Sequence, residues 1–301
     1  MIREFEDGDA EATADLLAEH TPWFETARGL RHRIAALPAR AHRATWIAED
    51  AGQVVGYCEA EFQWVTERED VGQVYAVVAP SHRRRGLGSL LFDRAVEHVV
   101  AHGAREIRSW SFANSDVFLE RRAFGRTREE RLSTVDPRTV DTSALDRLPE
   151  GVGVRSLREL WPQLLAVHAV YVDAARDMPV DHRESNIDYD EWLRETIEDP
   201  DLTRDGSSVV LVDGAPAALS FLKVDERHAV AEHELTGTAR AFRRRGLARL
   251  AKLAVLRWAA ANGITRVSTG NDATNVGMLA INDELGFRPF AVETEWVKRL
   301  G

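Results

Sequence analysis

The chain has 301 residues, 44% hydrophobic and 29% charged, a globular composition that excludes wholesale disorder. At roughly 150 residues per domain it is long enough for two domains, each able to bury its own core. Thirty-nine basic residues against 49 acidic ones give a net charge of −10, which disfavours nucleic acid as the main partner. A single cysteine, Cys58, excludes an internal disulfide and a thiolate zinc cage, and as part of a strand pattern it is expected to be a small buried hydrophobe. The first ten residues carry acids and no apolar stretch, and no run of about 18 apolar residues occurs, so neither a secretory leader nor a membrane span is expected. A cytoplasmic location follows as the expectation.

In chain order the pattern predicts a short strand over Ile2–Phe5, helical segments to about Leu37, and strands near Thr45–Ala48 and Gln53–Trp64. A strand over Gln73–Val78 then leads through RRRGLG, Arg83–Gly88, into an amphipathic helix. Gly103 stops that helix, and a strand over Glu106–Trp110 follows. The segment Ser133–Gly151 is rich in Asp, Thr and Pro and reads as a linker. Beyond it come a strand over Val152–Leu157 and a helix carrying Leu160, Leu164, Leu165, His168 and Tyr171. Strands over Ser208–Val212 and Ala217–Val224 flank the turn Asp213-Gly214. A strand ending at Thr238 then enters RRRGLA, Arg243–Ala248. The helix after it shows one apolar face in Leu247, Leu250, Ala251, Ala254, Val255 and Trp258, Gly263 ends it, and a strand over Thr265–Thr269 follows. Gly86 and Gly246 lie 160 residues apart, so the chain is a tandem duplication. The expected domains are 1–135 and 151–301, joined by a linker at 136–150.

A strand that enters a helix through basic residues and glycines builds an anion site: the unpaired N–H groups of the first helical turn face the anion, and neighbouring arginines add charge. Neither copy is a P-loop or a dinucleotide fingerprint. A tight turn with solvated arginines is the plainer alternative, and its recurrence in one strand–loop–helix–strand frame argues against it. These two loops, with NVGMLAINDELGF at Asn275–Phe287, resemble the signature motifs of the GCN5-related N-acetyltransferases (GNAT), over nearly the whole chain.

The resemblance implies an α/β fold, an α+β mixed sheet flanked by helices, as two GNAT-type acyl-CoA N-acyltransferase domains in tandem. It implies acetyl-CoA as cosubstrate, held in a V-shaped split between two central strands, and no metal. Arg243, Arg244, Arg245, Gly246, Leu247 and Ala248 would hold the pyrophosphate, Asn275 would meet the pantetheine arm, and a backbone N–H near Thr236 would serve as oxyanion donor. Arg83, Arg84, Arg85, Gly86 and Gly88 form the corresponding loop of the first half. The family's carboxylate base lies about 14 residues ahead of the first glycine. Counting back from Gly246 lands on Glu232, with Glu234 on the same strand face; a solvated edge is the alternative. Counting back from Gly86 lands on Gly72, with Val74 as the second position, and Asp70 is near. His233 would point to the opposite face, and His228 is a weaker candidate base.

The family's tyrosine acid is absent: its place holds Asn282 in the second half, whose N–H, or a water, would stand in as donor to the leaving thiolate, and Leu119 in the first, which cannot donate. The first half also has Phe112 in place of the pantetheine Asn and Ala123 in place of a Gly. The second half is therefore expected to be active, and the first to be catalytically degenerate, with a structural or CoA-binding role. The implied partners are acyl-CoA and a small-molecule amine, with a homodimer left open. Trp23, Phe24 and Tyr171 lie where the acceptor wall would be, and Trp161, Trp192 and Trp258 read as packing. Asp173, Asp177, Asp181, Glu184 and Asp188 could gather a cationic acceptor. The expected function is transfer of an acetyl group to a primary amine of a small cationic molecule; the rival is an acyl-CoA-binding sensor or scaffold. Transfer to a protein N-terminus or lysine is a third reading.

Overall fold

A computed structural model describes all residues except 65, 67, 113–114 and 178–186. The first half contains β1 (Ile2–Glu4), α1 (Ala10–His20), α2 (Ala27–Ala36), β2 (Ala44–Asp50), β3 (Gln53–Phe62), β4 (Val71–Val78), α3 (Leu87–Ala101), β5 (Glu106–Phe112), α4 (Asp116–Glu120) and β6 (Gly125–Val135). The second contains β7 (Val152–Ser156), α5 (Leu164–Ala175), α6 (Tyr189–Trp192), β8 (Ser208–Val212), β9 (Ala215–Asp225), β10 (Val230–Thr238), α7 (Leu247–Ala261), β11 (Arg266–Asp272), α8 (Val276–Glu284) and β12 (Arg288–Arg299).

Two compact units form, residues 1–130 with 291–301, and residues 131–290. In unit 1 the strand order is β1-β2-β3-β4-β5-β12; in unit 2, β7 to β11 lie in sequence order, with the 131–135 half of β6 beside β11. Both sheets are mixed: β4 runs parallel to β5 and β10 parallel to β11, while β1–β2, β2–β3, β3–β4, β5–β12, β7–β8, β8–β9 and β9–β10 are antiparallel. Period-2 alternation sets the two faces of each sheet. On β3, Cys58, Ala60 and Phe62 join the core with Leu91 and Val99 of α3, and Tyr57 joins the α1–α2 core with Leu17 and Leu30. On β9, Leu222 and Val224 share a core with α7, and Leu219 and Phe221 pack with Val167 of α5 and Trp192 of α6. Burial pushes the Cys58 thiol up to about 12, so it is the inert core residue expected of it.

The units differ from the domains expected from the sequence at two places. Residues 291–301, assigned to the second half by the repeat, belong to unit 1, where β12 pairs with β5 from Glu293 to Arg299. Trp296 is 1% exposed there, among Trp46, Phe92 and Phe124. The 136–150 segment, expected as a linker, is packed: Val140, Ala144 and Leu145 lie against the core of unit 2. Arg257 of α7 donates to the Thr142 carbonyl at 2.6 Å and pairs with Asp146 at 2.9 Å. Apolar anchors within a polar stretch made that segment look like a linker in sequence.

Candidate functional site

Each loop turns into its helix at a left-handed glycine, Gly86 (φ 84°) and Gly246 (φ 74°), where an L side chain is strained. Arg84 and Arg244 also have φ near 60°. No side chain caps α3 or α7, so N–H groups of the first turn remain for an anion. The first arginine of each triplet serves the loop itself: Arg83 Nε donates to the Val78 carbonyl at 2.7 Å, and Arg243 Nε to the Thr238 carbonyl at 3.0 Å. Arg243 also pairs with Asp177 at 2.6 Å. Among the described residues Arg84, Arg85, Arg244 and Arg245 have no ion-pair partner, which leaves two cationic side chains beside each helix N-terminus. Leu247 is buried in unit 2, and Gly88 has room for a methyl group, as Ala248 provides at the matching place. Both loops therefore fit a pyrophosphate.

The acids of the second half divide differently from the expectation. Asp173 and Asp177 clamp the loop: the Arg240 backbone N–H donates to Asp173 at 2.6 Å, and Asp177 bonds the Arg240 guanidinium as well as Arg243. Hydrogen bonds from Arg240, then Arg243, hold the Asp177 carboxyl well below the usual carboxylate range. Asp188 caps α6 through the Asp190 and Glu191 amides, and Asp181 and Glu184 lie outside the described residues. A cation-gathering role for Asp173 and Asp177 is thus replaced by a positioning one. Replacing Asp177 with Asn is expected to weaken acetyl-CoA binding about three- to tenfold, read by calorimetry, with an unfolding midpoint close to the parent's.

In each unit the central parallel strands pair for three residues and then separate. β4 and β5 pair from Val71↔Glu106 to Gln73↔Arg108, and β10 and β11 from Val230↔Arg266 to Glu232↔Ser268. Glu232 is therefore on the last rung before the split opens. The antiparallel register distinguishes the two copies. β3 and β4 stay in register from Gly56↔Val78 to Phe62↔Gly72, whereas β10 slips against β9 between His233↔Leu222 and Thr236↔Ser220. Glu234 and Leu235 together oppose Phe221, a β-bulge. Thr236 is back in register, with its hydroxyl 2.8 Å from Ser220, so the irregular backbone lies just ahead of the position expected for the oxyanion donor.

The bulge also shifts the alignment of the copies by one residue. The counterpart of Glu232 is Gln73, not Gly72, and Glu234 is the inserted residue without a counterpart. Similarly, Ser115 and Asn275 both precede the first residue of a helix, so Ser115 rather than Phe112 is the counterpart of Asn275. The family's later helix is five residues long in unit 1 and nine in unit 2.

Glu232 and Lys223 are opposite each other on β10 and β9. Lys223 Nζ lies 2.8 Å from Glu234 and 3.1 Å from Asp199. Burial opposes its charge, but the two carboxylates outweigh that and hold the ammonium well above the ordinary lysine range. His233 faces α7, where burial and then the Lys252 charge keep it neutral, and its Nδ1 lies 3.0 Å from Ser220 Oγ. His228 is 2.5 Å from Asp225 at the start of β10, the end away from the split. Asn275 accepts from the Met278 N–H at 3.2 Å as the cap of α8. Asn282 is 1% exposed and its Nδ2 donates to Asn271 at 2.5 Å, an arrangement that ties α8 to β11. Sequence reasoning missed Lys223 and Asp199, since a lone lysine in a strand and an acid in a loop carry no motif. Among the described residues no three His, Cys, Asp or Glu side chains group as metal ligands, and no helix is long and apolar enough to cross a membrane.

The sequence profile of the Acetyltransferase (GNAT) family matches residues 10–124 and 164–287. A mycothiol acetyltransferase from Acidothermus cellulolyticus is 24% identical over 272 residues, covering 82% of this chain and 77% of that protein. Among solved structures, a tandem GNAT protein from the clavulanic acid biosynthesis pathway superposes with a TM-score of 0.76 at 20% identity, covering 100% of this chain and 98% of the other. A GCN5-related N-acetyltransferase from Sphaerobacter thermophilus gives a TM-score of 0.68 at 18% identity, with 99% and 95% covered. With the family profile matched once in each half, and with both anion loops and both strand splits in place, the chain belongs to the GNAT family of acetyltransferases as a tandem two-domain member.

Proposed function

We propose that the protein transfers an acetyl group from acetyl-CoA to a primary amine of a small cationic molecule by direct attack in a ternary complex, and that transfer takes place in unit 2. The observation that carries this reading is the coincidence, in unit 2, of the anion loop, the strand split, the bulge at Glu234–Leu235 and the acid Glu232 on the last paired rung. Acetyl-CoA supplies an activated acyl thioester and a thiolate leaving group. Glu232 accepts the proton of the incoming ammonium, directly or through one water. A bulge takes backbone amides out of the strand ladder, and such an amide is the donor that negative charge on the acyl oxygen requires. Lys223 holds Glu234 and Asp199 in place, and two acids against one lysine favour a cationic acceptor. Asn282, buried against Asn271, is a positioning residue, and the thiolate departs unprotonated.

Unit 1 has the same loop and split but Gln73 at the base position and an unbulged β4, which supports acyl-CoA binding there without transfer. The test is incubation of the full chain with acetyl-CoA and a panel of polyamines, amino sugars and arylalkylamines, following thiol release and acetylated product by mass spectrometry. Acetylation of at least one amine is expected. Tight acetyl-CoA binding with no product from any amine would overturn transfer in favour of a sensor.

A further inference from the structure

A file of polar side chains is buried between the sheet of unit 2 and α7. Lys252, on α7, is 0% exposed. Its ammonium lies 5.0 Å from the centre of the Phe287 ring, and among the described residues no carboxylate pairs with it. The His233 ring stands 6.1 Å from the same Phe287 ring. His233 Nδ1 is 3.0 Å from Ser220 Oγ, which is 2.8 Å from the Thr236 hydroxyl. The other ring nitrogen, Nε2, is buried with no hydrogen-bond partner among the described residues, and the Lys252 charge reaches this ring. Polar groups thus run from a fully buried ammonium to Thr236, part-exposed beside the bulge.

Unit 1 fills the same place with apolar groups. The pair Ser220↔Thr236 on β9 and β10 corresponds to Cys58↔Ala76 on β3 and β4, and Leu222↔His233 to Ala60↔Val74. Lys252 and Phe92 are each the sixth residue of a 15-residue helix. Cys58, Val74 and Phe92 belong to the core of unit 1, and Ala76 packs against it. The fold therefore does not require the polar set. An ammonium buried without a counter-charge costs stability, and a packing rule broken in one of two copies points to function.

A neutral imidazole carries one N–H, and the partner at one ring nitrogen decides which of the two holds it. Ser220 takes Nδ1, so Lys252 acts on the Nε2 side. A charged Lys252 keeps Nε2 as a lone pair. Nδ1–H then donates to Ser220, Ser220 donates to Thr236, and Thr236 keeps its own hydrogen for the split. A neutral Lys252 accepts from Nε2–H instead; Nδ1 becomes an acceptor and the chain runs the other way. One proton passes from Lys252 to solvent, and His233 is neutral in both states.

We propose that Lys252 is a positioning residue for acetyl transfer, directing the His233–Ser220–Thr236 hydrogen bonds so that the Thr236 hydroxyl donates toward the negative charge that develops on the acyl group. This role rests on the reading that unit 2 transfers acetyl. Burial lowers the Lys252 ammonium to about 7, so the chain changes direction across neutral pH. His233 on β10 is the titratable group that faces it. The other charged groups on the elements around α7 are engaged elsewhere. Glu284 of α8 and Asp146 pair with Arg249 and Arg257, Arg138 with Asp136, Arg155 of β7 with Glu159, and Asp225 of β9 with His228. Lys223, Glu232 and Glu234 lie on the opposite sheet face.

The test is the ratio of kcat between the parent and Lys252→Met as a function of pH, at saturating acetyl-CoA with phenethylamine, glucosamine or spermidine as acceptor. Ionisation of the amine and of Glu232 cancels in that ratio. It is expected to be about tenfold at about pH 6 and to fall toward one by about pH 9, with acetyl-CoA affinity within about twofold of the parent. Loss of an unpaired buried ammonium is expected to leave the unfolding midpoint at or above the parent's. A purely structural lysine gives a ratio that does not change with pH, and that result overturns the proposal. A second readout needs no acceptor. Nitrogen NMR of the His233 ring, identified by its loss in His233→Gln, is expected to show Nδ1–H at low pH and Nε2–H at high pH, with no switch in Lys252→Met. One tautomer throughout in the parent overturns the proposal. A tautomer switch in a chain that acetylates none of the three amines overturns transfer itself, and this role falls with it. Should Lys252→Met fail to fold, Ser220→Ala breaks the chain at its middle, and a pH-independent ratio there is equally contrary.

Discussion

Replacing Glu232 with Gln is expected to lower kcat by about 10²–10⁴-fold, the usual contribution of a general base, while acetyl-CoA affinity stays at the parent value. The carboxylate lies on the last paired rung of β10 and β11, where the split begins, and the amide isostere keeps volume and strand pairing. Glu234→Gln is expected to cost on the order of tenfold or less, because that carboxylate already pairs with Lys223 and acts by positioning. A larger loss from Glu234→Gln than from Glu232→Gln would exchange the two roles. Single-turnover thiol release, measured beside an acetyl-CoA titration, separates loss of chemistry from loss of binding.

Arg108→Leu is expected to destabilise unit 1 by about 3–5 kcal/mol, as removing one partner of a buried ion pair does. Arg108, Glu106 and Glu295 are each 3% exposed. The guanidinium is 2.9 Å from Glu295 on β12 and 3.1 Å from Glu106. Its loss leaves two buried carboxylates with fewer counter-charges: Arg68 reaches Glu106 at 3.1 Å and Arg299 reaches it at 3.5 Å, and the Arg128 side chain is 3.8 Å from Glu295. Buried carboxyls short of a counter-charge have pKa values raised above their unfolded values. Their neutral form then favours the fold at low pH, and that contribution disappears as pH rises through the raised pKa. The deficit of the variant is therefore expected to be smaller at pH 5 than at pH 7.5, measured by urea unfolding. A deficit that is the same at both would contradict the loss of buried counter-charge as its cause.

Much of this was legible in the sequence, for local reasons. Two glycine loops in matching frames carry their own signal, since left-handed glycines ahead of an uncapped helix are local backbone chemistry. Strand alternation around Cys58 and the apolar face of α7 were likewise visible. What was not legible depends on pairing between distant segments. β12 belongs with β5 because Trp296 and Glu295 meet unit 1, and a repeat of fixed offset cannot show that. The bulge at Glu234–Leu235 adds a residue to one copy, so counting from the glycine matched Glu232 to Gly72 instead of Gln73. Arg243 pairs with Asp177, from the turn after α5, a contact that the loop motif alone does not show. A cavity on the α1–α2 side of unit 1 joins Trp23, Gln73 and Glu293, which are far apart in the chain.

The central claim is that acetyl transfer belongs to unit 2. The most direct measurement is acetyl-CoA-dependent acetylation of an amine by two loop variants, Gly86→Glu and Gly246→Glu, each placing a negative side chain at a left-handed glycine beside an anion site. Gly246→Glu is expected to abolish turnover, and Gly86→Glu to leave it within about twofold of the parent. Loss of turnover from Gly86→Glu with Gly246→Glu still active would place the chemistry in unit 1 and contradict the account.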